Sequence, residues 1–393
     1  MQVTRIGMDI AKHQFDLHGV DGEGQVRMRK TLKREQVLEF LAQLPRCEIG
    51  MEACGGAHYW HREISKLGHT VRLLSAHKVK PYVVGNKNNR HDAAAICEAM
   101  SRPAMRFVAP KTSAQQDLQI LHRARAWLVC DRTGLSNQLR GMLNEYGIVM
   151  PTGAAALKRT VAEVLADSDD PRVTALLRSV VTEQFERFTY LSQRIAQYDR
   201  QIGELCRQDE RCRRLLVIPG IGPLSATALV AVCGDGREFQ NGRHFSAYLG
   251  LVPGHSNTGN KTVMLGITKR GNRYLRTLLI HGGRAVLYAA RRRNDPRSQW
   301  VKRLKETGSA NLAAVALANK NARVAWALLR YGEEYSPQRA HAQTTTPACT
   351  ARPANNTLAS AVQSAHPTRS RAHSFAAPSA PDEGHGERML RNN

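Results

Sequence analysis

Apolar and polar residues alternate from the start of the chain. In "TRIGMDIAKHQFDLHGVD", Ile6, Met8 and Ile10 recur at every second position, the period of a half-buried strand. Asp9 lies between them and therefore points to the opposite face, where a carboxylate ordinarily meets water or an arginine. Lys12 through Val20 read as a second extended run that turns at Asp21-Gly22, and "QVRMRKTL" reads as a third strand. The pattern then alternates between "EQVLEFLAQL" (helix), "CEIGMEA" (strand), "HYWHREISKLG" (helix), "HTVRLLSA" (strand) and "DAAAICEAM" (helix). Three hairpin-like strands followed by αβαβα predict a mixed α/β sheet over residues 1–110.

The period changes after Ala114. Leu118, Leu121, Arg125, Leu128, Arg132, Leu135, Leu139 and Met142 step by three and four, a heptad seam with arginine in two places. Phe188, Leu191, Ile195, Tyr198, Ile202 and Leu205 repeat that step without a break. Two long amphipathic helices are therefore expected in 111–210, joined through "GIVMPTGAA" and a shorter helical stretch. An antiparallel pair within one chain and a coiled coil between chains both satisfy the pattern, and the helices are expected to mediate self-association as well. Residues 211–335 form a mostly helical second region, from "RLLVIPGIGPLSATALVAVCG" to "ANLAAVALANKNARVAWALLRYG". From 336 to 393 large apolar residues are scarce, and a disordered tail is expected.

Composition narrows the function. The chain has 393 residues, a formal net charge of +24 and a pI near 10.2, which point to a polyanion, nucleic acid ahead of a membrane surface. The tail contributes six arginines against three acids, so nearly all the excess lies in the body, in clusters such as "HKVKPYVVGNKNNRH", "ITKRGNRYLR" and "AARRRNDPR". The eight cysteines form no C-x-x-C pair, so neither a zinc site nor a disulfide scaffold is expected. With no signal peptide and no membrane-spanning apolar run, the expected location is cytoplasmic.

The second strand-borne acid is Glu52, in "CEIGMEACGG", on the face opposite Ile49 and Met51. If this strand lies beside the first, Asp9 and Glu52 emerge on one side and raise each other's pKa unless a cation intervenes. Mg²⁺ is held by such carboxylates while keeping several waters. Asp92 opens a helix, where an acid is commonly a cap. The three alanines after it would let that helix approach the sheet and bring Asp92 towards the other two.

The order of these acids, with "GMEACGG" and "NKNNRHDAAAICEA", resembles the DEDD transposases of insertion sequence family 110, in its 1111-like branch. "IPGIGPLSATAL", "FSAYLGLVPGHSNTGNKTVMLGITKRGNRYLRTLLIHGGRAVL" and "VALANKNARVAWALL" resemble that family's C-terminal transposase domain, so the resemblance covers roughly residues 3–332. It implies a RuvC-like (RNase H-type) first domain, Mg²⁺ at Asp9, Glu52 and Asp92, and DNA strand transfer. It also implies oligomers (a dimer or tetramer) and a structured RNA, encoded by the element, that pairs with DNA. One departure stands out. The family's last acid pair reads D-x-x-D, and here Asn89 occupies the first place. Asn89 still offers a carbonyl oxygen but removes a charge. Either the site tolerates it, or Asp16 or Glu98 compensates, or this copy is impaired.

Gly220 and Gly222, followed by Pro223 and an apolar run, have the pattern of a helix-hairpin-helix turn, which lets a phosphate approach backbone and helix N-terminus. "GLVPGHSNTGNKTVMLGITKRGN" reads as a loop or short hairpin carrying hydroxyls and cations. In the family a serine before a glycine here is the proposed nucleophile; alignment puts Thr258 at that place, with Ser256 two residues upstream. Ser256 is favoured, with Thr258 close behind. Lys261, Lys269 and Arg270 could stabilise a pentacoordinate phosphate, and Arg273 and Arg276 follow at helical spacing as phosphate contacts. Two rival readings are a Holliday-junction-type nuclease that uses metal-activated water and a decayed nucleic-acid-binding protein.

Overall fold

The period-2 segments assemble into one six-stranded sheet: β1 (Arg5–Ile10), β2 (Gln14–Val20), β3 (Val26–Lys33), β4 (Glu48–Glu52), β5 (Thr70–Leu74) and β6 (Phe107–Val108). Its order is β3-β2-β1-β4-β5-β6. β1 pairs antiparallel with β2 and parallel with β4, and β4 runs parallel to β5. This is the mixed sheet expected of an RNase H-type domain. The computed structural model describes residues 2–85, 88–259, 261–306 and 308–338, so the expected disordered tail lies almost wholly outside the described residues.

Both faces of the sheet are covered. Ile6, Met8, Phe15, Leu17, Ile49 and Met51 pack against α1 (Val37–Ala42) and α2 (Ala57–Lys66), with Trp60 and Ile64 fully or nearly buried. After β5 come the short α3 (Ala76–Val79), which the alternation does not predict, and α4 (Asn89–Met100). α4 covers the opposite face, and Ala95, Ile96, Ala99 and Met100 are buried there. It starts three residues before Asp92. The Asn88 side chain caps it by accepting from the Arg90 amide, so Asp92 is released from that duty.

The 3–4 seams become α5 (Ser113–Glu145) and α7 (Ala175–Gln208), with α6 (Ala154–Ala166) between them. Leu135, Leu139 and Leu143 share a core with Val181, Phe188 and Leu191. Near the other end Arg125 Nε meets Asp199 Oδ1 at 2.5 Å, so the helices run antiparallel within one chain. That ion pair accounts for an arginine in the first seam. The second seam ends one step early. Leu205 is 40% exposed, and Cys206 is buried in its place.

The remaining helices are α8 (Glu210–Leu216), α9 (Pro223–Cys233), α10 (Gly242–Tyr248), α11 (Arg273–Ala289), α12 (Pro296–Glu306) and α13 (Ala310–Tyr331), with a hairpin of β7 (Pro253–Thr258) and β8 (Lys261–Ile267). Leu215, Ile218, Leu229, Phe245, Leu275 and Trp326 lie in their common core. The first turns of α5 tie the sheet to this region. Arg62 of α2 donates to Gln116 Oε1 (2.6 Å), and Gln119 donates to the Ala231 carbonyl (3.0 Å). No described helix is long and apolar enough to cross a membrane.

Candidate functional site

Register decides which acids meet. Met8 pairs with Met51 across the parallel β1–β4 ladder, so Asp9 and Glu52, one residue further on, stand side by side on adjacent strands. On the other side Asp9 is paired directly with Asp16, and Asp16 with Thr31. Directly paired residues point to one face, so Thr31, Asp16, Asp9 and Glu52 form a row across four strands. Asp16 is 7% exposed, and the Thr31 hydroxyl donates to its Oδ1 at 2.6 Å.

Two glycines bring α4 down onto this row's face. Gly7 shares the face with Asp9, and Gly50 shares it with Glu52. A Cβ on Gly7 would lie 2.1 Å from the Ala93 carbonyl oxygen, and one on Gly50 would lie 1.9 Å from Met100 Sδ. The helix axis can approach this closely only where the sheet has no side chains. Asp92 is thereby carried, one residue before Ala93, to the acid row. The electrostatics register the meeting: burial raises the pKa of Glu52, and the charges of Asp9 and then Asp92 raise it further.

These are hard oxygen donors facing each other, the donor set of a divalent cation. As placed, no three His, Cys, Asp or Glu side chains among the described residues stand close enough to ligate one ion. Asn89 is exposed at the first position of α4. Glu98 is exposed and engaged by Arg102, away from the row. Of the two compensating acids considered for Asn89, it is Asp16 that shares the face of Asp9. The alternation within β2 does not reveal this, because it becomes visible only with the β1–β2 register.

Ser256 and Thr258 project from β7, exposed, with Ser256 opposite Val263 and Thr258 opposite Lys261 across the hairpin. The charged neighbours that set the proton affinity of Glu52 are Asp9 and Asp92, and no hairpin residue is among them. The structure therefore sets the three acids within electrostatic reach of one another, short of the distance at which they would share one ion. The Lys261 side chain lies outside what is described. Lys269, Arg270 and Arg273 are exposed near the base of the hairpin.

Arg276 departs from expectation. It is 8% exposed, and its Nη1 donates to the Leu249 and Arg270 carbonyls, each at 2.9 Å, so it anchors the loop rather than facing a phosphate. Helical spacing places Arg276 near Arg273, yet Asn272 starts the helix so that Arg276 turns inward. The two turn glycines also differ. Gly222 is exposed at the start of α9, with open space where a Cβ would project. Gly220, at φ +90°, is pressed against α11: a Cβ there would lie 2.8 Å from the Gly282 carbonyl. Its smallness serves helix packing.

Comparison with known proteins adds independent observations. Residues 6–148 match a DEDD transposase family of the insertion sequence 110 group, and residues 212–299 match the family described as Transposase IS116/IS110/IS902. The chain is 48% identical over 337 residues to a probable family 20 transposase of Pseudomonas aeruginosa, covering 86% of this chain and 100% of that protein. It is 44% identical over 333 residues to the transposase for insertion sequence element IS1111A of Coxiella burnetii, covering 84% and 90%. Against the transposase for IS1328 of Yersinia enterocolitica the identity is 40%, covering 85% and 99%.

Proposed function

The chain belongs to the IS116/IS110/IS902 family of transposases, and we propose that it cuts and rejoins DNA by phosphodiester transfer at a site built from Asp9, Glu52 and Asp92. DNA is the partner that membership implies. The observation that carries the site is the β1–β4 register, which sets Asp9 beside Glu52, together with the close approach of α4 over Gly7, which brings Asp92 towards them; the upward shift of the Glu52 carboxyl agrees with it. Mg²⁺ held there would stabilise the negative charge that develops on the phosphate oxygens.

The chain's own residues have distinct tasks. The hydroxyl of Ser256, or of Thr258, attacks phosphorus; an O–P bond forms, one phosphodiester P–O bond breaks, and the hydroxyl proton leaves as the departing oxygen gains one. Lys269 and Arg270 oppose the charge of the pentacoordinate state. Because the hydroxyls and the acids stand on different parts of one chain, we assign their meeting to an oligomer, a dimer or tetramer. Exposed Ile120 and Trp127 on α5 support an interface there. The net charge of +24 supports backbone contact with a structured guide RNA as well as with DNA.

The exposure of Ser256 and Thr258 also supports a second reading, hydrolysis by water at the acids without a covalent link. Trapping a protein–DNA adduct in denaturing gels separates the two. The adduct should form with the parent and disappear in Ser256→Ala or Thr258→Ala. Cleavage with no adduct favours water. The acid site is tested by strand exchange in Mg²⁺ for the parent, Asp9→Ala and Asn89→Asp. Asp9→Ala should be inactive and Asn89→Asp at least as active as the parent. Recovery in Asn89→Asp from an inactive parent would mark a decayed site, and equal rates in all three would remove the acids from the mechanism.

A further inference from the structure

The C-terminal region contains a second cationic feature, distinct from the acid row and from the hydroxyl hairpin. A cavity of about 720 Å³ lies among the α8–α9 turn, the end of α11, the start of α12 and α13, lined by Pro219, Val286, Ala290, Arg293, Arg297 and Lys320 among others. Lys320, from α13, is 8% exposed. No carboxylate or hydrogen-bond acceptor among the described residues engages its ammonium, which lies 4.7 Å from the centre of the Trp300 ring.

Arg297 comes from the first turn of α12. Its guanidinium donates to Tyr335 Oη (3.0 Å), to the Pro219 carbonyl (3.2 Å) and to Asn321 Oδ1, and its Nε is buried without a partner. The cavity's acid, Asp295, accepts from the Ser298 amide (3.0 Å) and hydroxyl (2.6 Å) at the start of α12, and its charge acts on Arg297 and not on Lys320. Burial, with Arg297 and Arg323 nearby, brings the Lys320 ammonium down to about 8. A buried cation among cations, without a counter-charge, destabilises a fold unless an anion completes it.

We propose that this cavity binds a phosphate group, with Lys320 and Arg297 as its cations. The proposal rests on the reading of the chain as a nucleic-acid enzyme, which makes a nucleic-acid phosphate one source; a free phosphate anion is the other. Since Arg297 also holds the carbonyl of Pro219, an anion here would brace the turn that carries Gly222.

The test uses the full chain as parent, Lys320→Met and Lys320→Gln, with a short DNA duplex in one arm and inorganic phosphate in the other. In the duplex arm, removing the cation should weaken binding and reduce the slope of log affinity against log salt by about one. In the phosphate arm, the anion should raise the melting temperature of the parent and leave both variants unmoved. Without ligand, Lys320→Met should melt no lower than the parent, because an apolar chain replaces an uncompensated charge. A response in the duplex arm identifies nucleic-acid phosphate, and a response in the phosphate arm alone identifies a free anion. Identical behaviour of parent and variants in both arms overturns the proposal, and so does a variant that merely melts lower with neither arm changed. Neither result bears on strand exchange at Asp9, which Asp9→Ala tests separately.

Discussion

At the scale of single residues, Glu52 reports the state of the acid row. Its folded pKa lies above the ordinary value of 4.5, so the folded chain holds that proton more tightly than the unfolded one. The resulting stability is complete below 4.5 and is lost as pH rises through the folded value. At neutral pH and without a divalent cation, the ionised side chain repels Asp9 and Asp92. Glu52→Gln should therefore melt higher than the parent at pH 7 in chelator, with the gap closing below pH 4.5, while strand exchange falls to background. A melting difference that does not change with pH would contradict this. Asp9 and Glu52 were legible because strand alternation alone sets their face. Asp16 and Arg276 were not: the first needs the register of a neighbouring strand, and the second needs to know which side of α11 meets the loop before it.

At the scale of elements, the placement of α4 decides whether the site exists. The alanines after Asp92 signalled a close approach, and Ala93 is indeed 1% exposed. The glycines opposite them gave no such signal, since a glycine in a strand means little until the element above it is known. They should respond differently to a methyl group. At Gly7 the obstacle is the backbone of α4, with the Ala93 oxygen at 2.1 Å and the Cys97 nitrogen at 2.5 Å. At Gly50 it is chiefly the flexible Met100 side chain, with its sulfur at 1.9 Å. Gly7→Ala should cost about 3 kcal/mol or more and abolish strand exchange by lifting Asp92, whereas Gly50→Ala should cost about 1–2 kcal/mol. Urea melts paired with exchange assays check both, and equal penalties would count against the backbone contact. The long helices were legible as seams but ambiguous as partners. The Arg125–Asp199 pair resolves them as neighbours within one chain, a contact that heptad spacing cannot encode.

At the scale of the whole molecule, α5 is the joint between the sheet and the C-terminal helices, and His122 lies at that joint. It is 4% exposed, with Nε2 at 2.9 Å from Thr227 Oγ1 and Nδ1 at 3.0 Å from Tyr274 Oη. Burial, with Arg125 nearby, lowers its pKa from 6.5 to about 4. The unfolded chain binds this proton first, so the stability it confers is present above 6.5 and is lost as pH falls towards 4. The melting temperature of the parent should drop between pH 7 and pH 5 by more than that of His122→Gln, and parallel curves would exclude the histidine as the cause. Neither this joint nor its pH response was legible beforehand, since His122 is 105 residues from Thr227 in the chain.

Lys269 sits at φ +56°, the one non-glycine residue at positive φ among those described. An L side chain in that conformation costs about 1–2 kcal/mol, so Lys269→Gly should raise the melting temperature. A population bred only for survival in the heat would discard this lysine early. One bred for insertion should keep it and tolerate the fragility.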